Sequence, residues 1–130
     1  MILADPDAGP RVGLVTRDLL VRARVGAALG ECARGLQLLG DDARWAGFDL
    51  LLIDLNRDAR ERLVQLRTAT QGRPGADVFC FGPHTEMREL SPAARAAGAS
   101  RCVANSHLPE SLRRWLRSWE LAGAAGRATG

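Results

Sequence analysis

Lysine is missing from this chain of 130 residues, whose 18 basic side chains are all arginine. Cysteine is scarce: Cys32, Cys80 and Cys102 are widely spaced and form no CxxC pair. Such a set gives neither a disulfide framework nor the spacing of a zinc site. Cys80 and Cys102 lie inside apolar blocks and read as small buried hydrophobes of a reducing compartment. No apolar run approaches the ~20 residues of a membrane span. Met1–Pro10 has neither the basic start nor the apolar stretch of a secretory signal. A cytoplasmic location without membrane contact is therefore expected. A concentrated basic face is also lacking. Residues 1–60 carry 8 Arg against 9 acids and residues 61–130 carry 10 Arg against 6, a scattered excess that totals +3. A nucleic-acid partner is not expected from that balance.

What is present is alternation. Val12–Thr16, Leu36–Leu39, Asp49–Leu55, Val78–Phe81 and Arg101–Ala104 are short apolar blocks, suited to parallel strands covered on both faces. Between them lie helical patterns. Asp18–Leu29 carries Val21, Val25, Ala28 and Leu29 on one stripe, with Gly30 as its stop. Asp58–Ala69 turns Leu63 and Leu66 inward, and Thr85–Ala97 ends at Gly98. Ser91-Pro92 either kinks that helix or starts a new one. The last helix opens at Pro109, with Leu112, Trp115, Leu116 and Trp119 along one face. The prediction is an α/β fold with a five-stranded parallel sheet between helical layers and right-handed crossovers. Only about nine residues, 40–48, join the second strand to the third. A parallel crossover needs a dozen or more, so the helix there is expected to be shortened or absent. Residues 1–10 are expected to be a disordered lead, 11–121 the domain and 122–130 a flexible tail.

Arg11-Val-Gly-Leu-Val-Thr-Arg-Asp-Leu-Leu-Val-Arg22, Phe48-Asp-Leu-Leu-Leu-Ile-Asp-Leu-Asn56 and Ala97-Gly-Ala99 carry a resemblance. In this order they resemble the receiver domain of bacterial response regulators, an atypical, pseudo-receiver-like version of it. The resemblance implies a flavodoxin-like sandwich with strand order 2-1-3-4-5 and a phosphoacceptor aspartate at Asp54. It also implies departures. The family's metal-holding acids fall on Thr16 and Arg17, with only Asp18 kept. Its Ser/Thr after the fourth strand falls on Gly82, and its lysine after the fifth falls on Asn105.

Those losses bear on chemistry. Phosphoryl transfer needs charge neutralised on the transferring oxygens, and Mg²⁺ wants several oxygen ligands in octahedral array. Arg17 would put a guanidinium where the ion belongs, and two like charges ~4 Å apart repel by several kcal/mol at an effective dielectric of about 20. The expectation is an internal Arg17–Asp54 ion pair and no metal. The simpler reading is Asp54 as a strand-end carboxylate held by backbone N–H groups, with Asp18 as a helix N-cap.

Three functions compete on this sequence. The first is a phosphorylation-independent signalling module without cofactor or catalysis. It would meet a protein partner, or a second copy in a homodimer, through Arg113, Trp115, Arg117 and Trp119. The second is a phosphoacceptor receiver using Asp54. The third is a small-molecule domain using the crevice at the strand carboxyl ends, with His84 and Thr85 as a candidate ligand loop.

Overall fold

The most apolar segment of the chain forms the middle of the sheet. In the computed structural model, which describes residues 9–40, 44–70 and 75–129, Leu50–Asp54 is buried throughout. This strand, β3, lies between β1 (Val12–Val15) and β4 (Asp77–Gly82), with β2 (Leu36–Leu38) and β5 (Arg101–Ala104) at the edges. The order is β2-β1-β3-β4-β5, and every pairing is parallel. The helices are α1 (Leu19–Leu29), α2 (Ala59–Thr70), α3 (His84–Ala97) and α4 (Leu108–Thr129). The flavodoxin-like architecture expected from the sequence is the one observed.

Side-chain alternation along each strand supplies two cores. Val15, Leu51, Ile53, Val78 and Cys80 face one way, under Leu63 and Leu66 of α2 and Met87, Ala94 and Ala97 of α3. Val12, Leu14, Leu50, Leu52, Phe79 and Phe81 face the other, under Val25 and Leu29 of α1 and Leu112 and Leu116 of α4.

Among the described residues no helix joins β2 to β3. Leu39, Trp45 and Phe48 are buried instead, in the core beneath α2 and α3, and the Trp45 indole N–H donates to the Gly40 carbonyl at 3.3 Å. A large aromatic side chain thus supplies cover that a crossover helix would otherwise give. A 3₁₀ turn over Gly30–Gly35 precedes β2 and was not anticipated by the apolar pattern. It ends at Gly35, where a Cβ would collide with the Pro10 carbonyl oxygen.

Three boundaries differ from expectation. Pro10 is buried and Gly9 lies against Cys32, so the fold begins before Arg11; residues 1–8 of the expected lead lie outside the described residues. Helix α4 runs to Thr129, through the stretch expected as a tail, because alanine is the strongest helix former and outweighs the interspersed glycines. Helix α3 continues through Pro92 without ending there. The Ser91 hydroxyl bonds the Met87 carbonyl one turn back at 2.5 Å, so Ser91 caps no new helix.

Candidate functional site

Register decides which side chains meet at the carboxyl end of the sheet. Val15 pairs with Ile53, so the next residues, Thr16 and Asp54, stand opposite each other on the same face. The Thr16 hydroxyl donates to Asp54 Oδ2 at 2.7 Å. Arg17 is one position further along, at a bend beyond the end of β1. It is exposed and lines the surrounding cavity. Thr16 and Asn56 are thus hydrogen-bonded to the Asp54 carboxylate.

The other carboxylate oxygen is held from its own loop. The Asn56 backbone N–H donates to Asp54 Oδ1 at 2.8 Å and the Asn56 side-chain amide donates to the same oxygen at 2.6 Å. That amide also reaches β5. Asn56 Nδ2 donates to Asn105 Oδ1 at 3.0 Å, and Asn105 Nδ2 donates back to Asn56 Oδ1 at 2.7 Å. An unbroken line of polar contacts therefore runs from Thr16 through Asp54 and Asn56 to Asn105, across the ends of β1, β3 and β5. Asp54 is only 8% exposed.

The remaining expected positions fall as follows. Asp18 caps α1, its Oδ1 accepting from the Leu20 N–H at 2.8 Å, and its own N–H donates to Thr16 Oγ1 at 3.1 Å. Gly82 ends β4 beneath Met87, whose sulfur would lie 2.9 Å from a Cβ placed there. Glycine itself offers Asp54 no hydroxyl from that position. His84 and Thr85 open α3 at the surface, and they line neither of the two described cavities at this end. Trp115 is half-buried against the core and its indole N–H donates to Asp77 Oδ2 at 2.7 Å, so its aromatic face packs. Arg113 and Arg117 are exposed and Trp119 is half-buried. Asn56 was not singled out from the sequence; an Asn two residues past a strand-end acid, at the mouth of a loop, was the available signal.

Two cavities flank the line of contacts. One of about 420 Å³ is edged by Arg17, Arg57 and Arg62 and by Asp18, Asp54 and Asp58. The other, about 140 Å³, lies behind the Asn56–Asn105 pair, floored by Val21, Val25, Phe81, Leu108 and Leu112. Among the described residues no group of three or more His, Cys, Asp or Glu is placed to hold a metal ion. The donor set at Asp54 is a poor match for a hard divalent cation, which asks for several oxygen ligands: both Asp54 oxygens already accept hydrogen bonds, and Asp18 Oδ1 accepts from the Leu20 N–H.

No protein-family model and no curated protein matches the chain. Solved structures do. The CheY-like response regulator receiver domain from Methanospirillum hungatei JF-1 has 18% identity, with 94% of this chain and 99% of that one covered and a TM-score of 0.66. The BeF3-activated DrrB receiver domain has 17% identity over 85% and 96% of the two chains, TM-score 0.67. The fold is that of response-regulator receivers. A chain described as adenylate cyclase, from Rhodopirellula baltica, shares this fold at 10% identity, with 93% and 97% of the two chains covered and a TM-score of 0.61. Among the described residues no helix is long and apolar enough to cross a membrane.

Proposed function

We propose that this chain is a receiver-like signalling module that works through protein contact and takes no phosphate on Asp54. The observation carrying this reading is the occupation of both Asp54 oxygens by neutral donors, which are themselves tied to Asn105. An incoming phosphoryl group would have to displace Thr16 or Asn56. No cation is offered in the lysine's position to neutralise the charge it brings, since Asn105 carries none. The BeF3-activated DrrB receiver is the contrast: the same fold accepts a phosphate mimic in that protein.

A fixed site leaves surfaces to carry the signal. The exposed Arg113 and Arg117, with Trp119 beside them on α4, support the last helix as the face that meets a signalling partner or a second copy in a cytoplasmic homodimer. The module needs no cofactor and catalyses nothing. Incubation with acetyl phosphate and Mg²⁺ followed by intact mass tests the reading. The expected mass is unchanged. A gain of one phosphoryl group that disappears in Asp54→Asn would establish the rival, a phosphoacceptor receiver.

A further inference from the structure

Cys80 and Cys102 are register partners on adjacent strands, β4 and β5. Both side chains belong to the core beneath α2 and α3, so the two thiols project from the same face of the sheet. Neighbouring strands lie about 4.8 Å apart, inside the roughly 4.4–6.8 Å Cα separation that a disulfide spans. Their exposures differ: Cys80 is fully covered, whereas Cys102 is half-exposed on β5, the sheet edge. Cys32, the third cysteine, packs against the opposite core and is out of reach of both.

We propose that Cys80 and Cys102 form a built-in dithiol that closes to an intramolecular disulfide when the protein meets a peroxide. In the first step the sulfur of the half-exposed Cys102 attacks one peroxide oxygen. The O–O bond breaks, Cys102 becomes a sulfenic acid, and one water leaves. In the second step the Cys80 sulfur attacks the Cys102 sulfur and gives up its proton. The S–O bond breaks, the hydroxide takes that proton, and a second water leaves. Two thiols and one hydrogen peroxide yield one disulfide and two waters. Burial, with Cys102 beside it as the lesser cause, pushes the Cys80 thiol up to about 12. That suits the resolving role and not the first attack. The closed bond would bind the edge strand covalently to β4, three residues before Asn105. The inference is independent of whether Asp54 is ever phosphorylated.

The test is dilute hydrogen peroxide on the full chain, then alkylation of free thiols and tryptic digestion without reduction. Arginines separate the three cysteines onto different peptides. The expected result is a Cys80-peptide joined to a Cys102-peptide, a protein mass lower by two hydrogens, and Cys32 alkylated. In Cys80→Ala the same treatment should leave a Cys102 sulfenic acid trapped by dimedone. Cys102 driven to sulfinic acid in the native chain, with Cys80 still alkylated after unfolding, would overturn the proposal. So would a link through Cys32, or between two chains.

Discussion

At the scale of the residue, Asp54 accepts from one hydroxyl, one backbone N–H and one side-chain amide, each a neutral donor. A carboxylate 8% exposed tolerates that position because each oxygen is bonded, and leaving one without a donor costs about 1–3 kcal/mol. Asn56→Ala removes the side-chain amide from Asp54 Oδ1 but keeps the backbone N–H on it, and leaves the exposed Asn105 amide to water. It should therefore lower the unfolding free energy in urea only by the net worth of a hydrogen bond, ~0.5–1.5 kcal/mol. If the pair acts as a unit, Asn56→Ala with Asn105→Ala should cost less than the sum of the single changes. Strict additivity would mean that the two amides are merely neighbours. How much of this was legible turns on register. Thr16, Asp54 and Asn105 could each be placed at strand ends from the alternation of apolar blocks. That Thr16 stands opposite Asp54 required the pairing of Val15 with Ile53, because a slip of one residue exchanges the two faces. Asn56 stayed hidden because an Asn after a strand reads first as a turn former.

At the scale of the element, the five strands and the first three helices were legible to within a residue or two, since their apolar periods are clean and glycines stop α1 and α3 with positive φ at Gly30 and Gly98. The connection from β2 to β3 was legible only as a shortage. Its length excluded a full helix, but nothing in residues 40–48 said that Trp45 would turn inward. Trp45 is 3% exposed in the core beneath α2 and α3, and Trp45→Ala should cost about 3–5 kcal/mol. Trp119→Ala, at a half-buried position on α4, should cost clearly less. Urea midpoints compare the two directly, and equal losses would show that Trp45 is not filling the place of a helix. The end of α4 was misread for an identifiable reason: an Ala- and Gly-rich stretch has no apolar stripe to reveal a helix, although its alanines favour one.

At the scale of the whole molecule, composition gives an unusual handle. The chain has no lysine and no tyrosine, so between about pH 9 and pH 12 its cysteines are the side chains that titrate. The Cys80 thiol is pushed by burial from an ordinary 9.0 to about 12. The unfolded chain releases this proton first, so stability is full below pH 9 and declines as pH rises from 9 toward 12. The loss is on the order of 4 kcal/mol if the interval is crossed. Cys32 is raised too, by burial and then by Glu120 and Glu31, and adds in the same direction. Unfolding free energies from urea titrations at successive pH values should fall through this range in the native chain and much less in Cys80→Ala. A flat profile, or one unchanged by the substitution, would contradict the burial of that thiol.

The same view of the molecule makes the strand ends a fixed junction, with β1, β3 and β5 joined through Thr16, Asp54, Asn56 and Asn105. The most direct measurement of that claim is the amide NMR spectrum of the chain titrated with beryllofluoride and Mg²⁺. The resonances of Thr16, Asp54, Asn56 and Asn105 should stay where they are at saturating reagent. Saturable shifts centred on Asp54 and spreading to Asn105 would contradict the account.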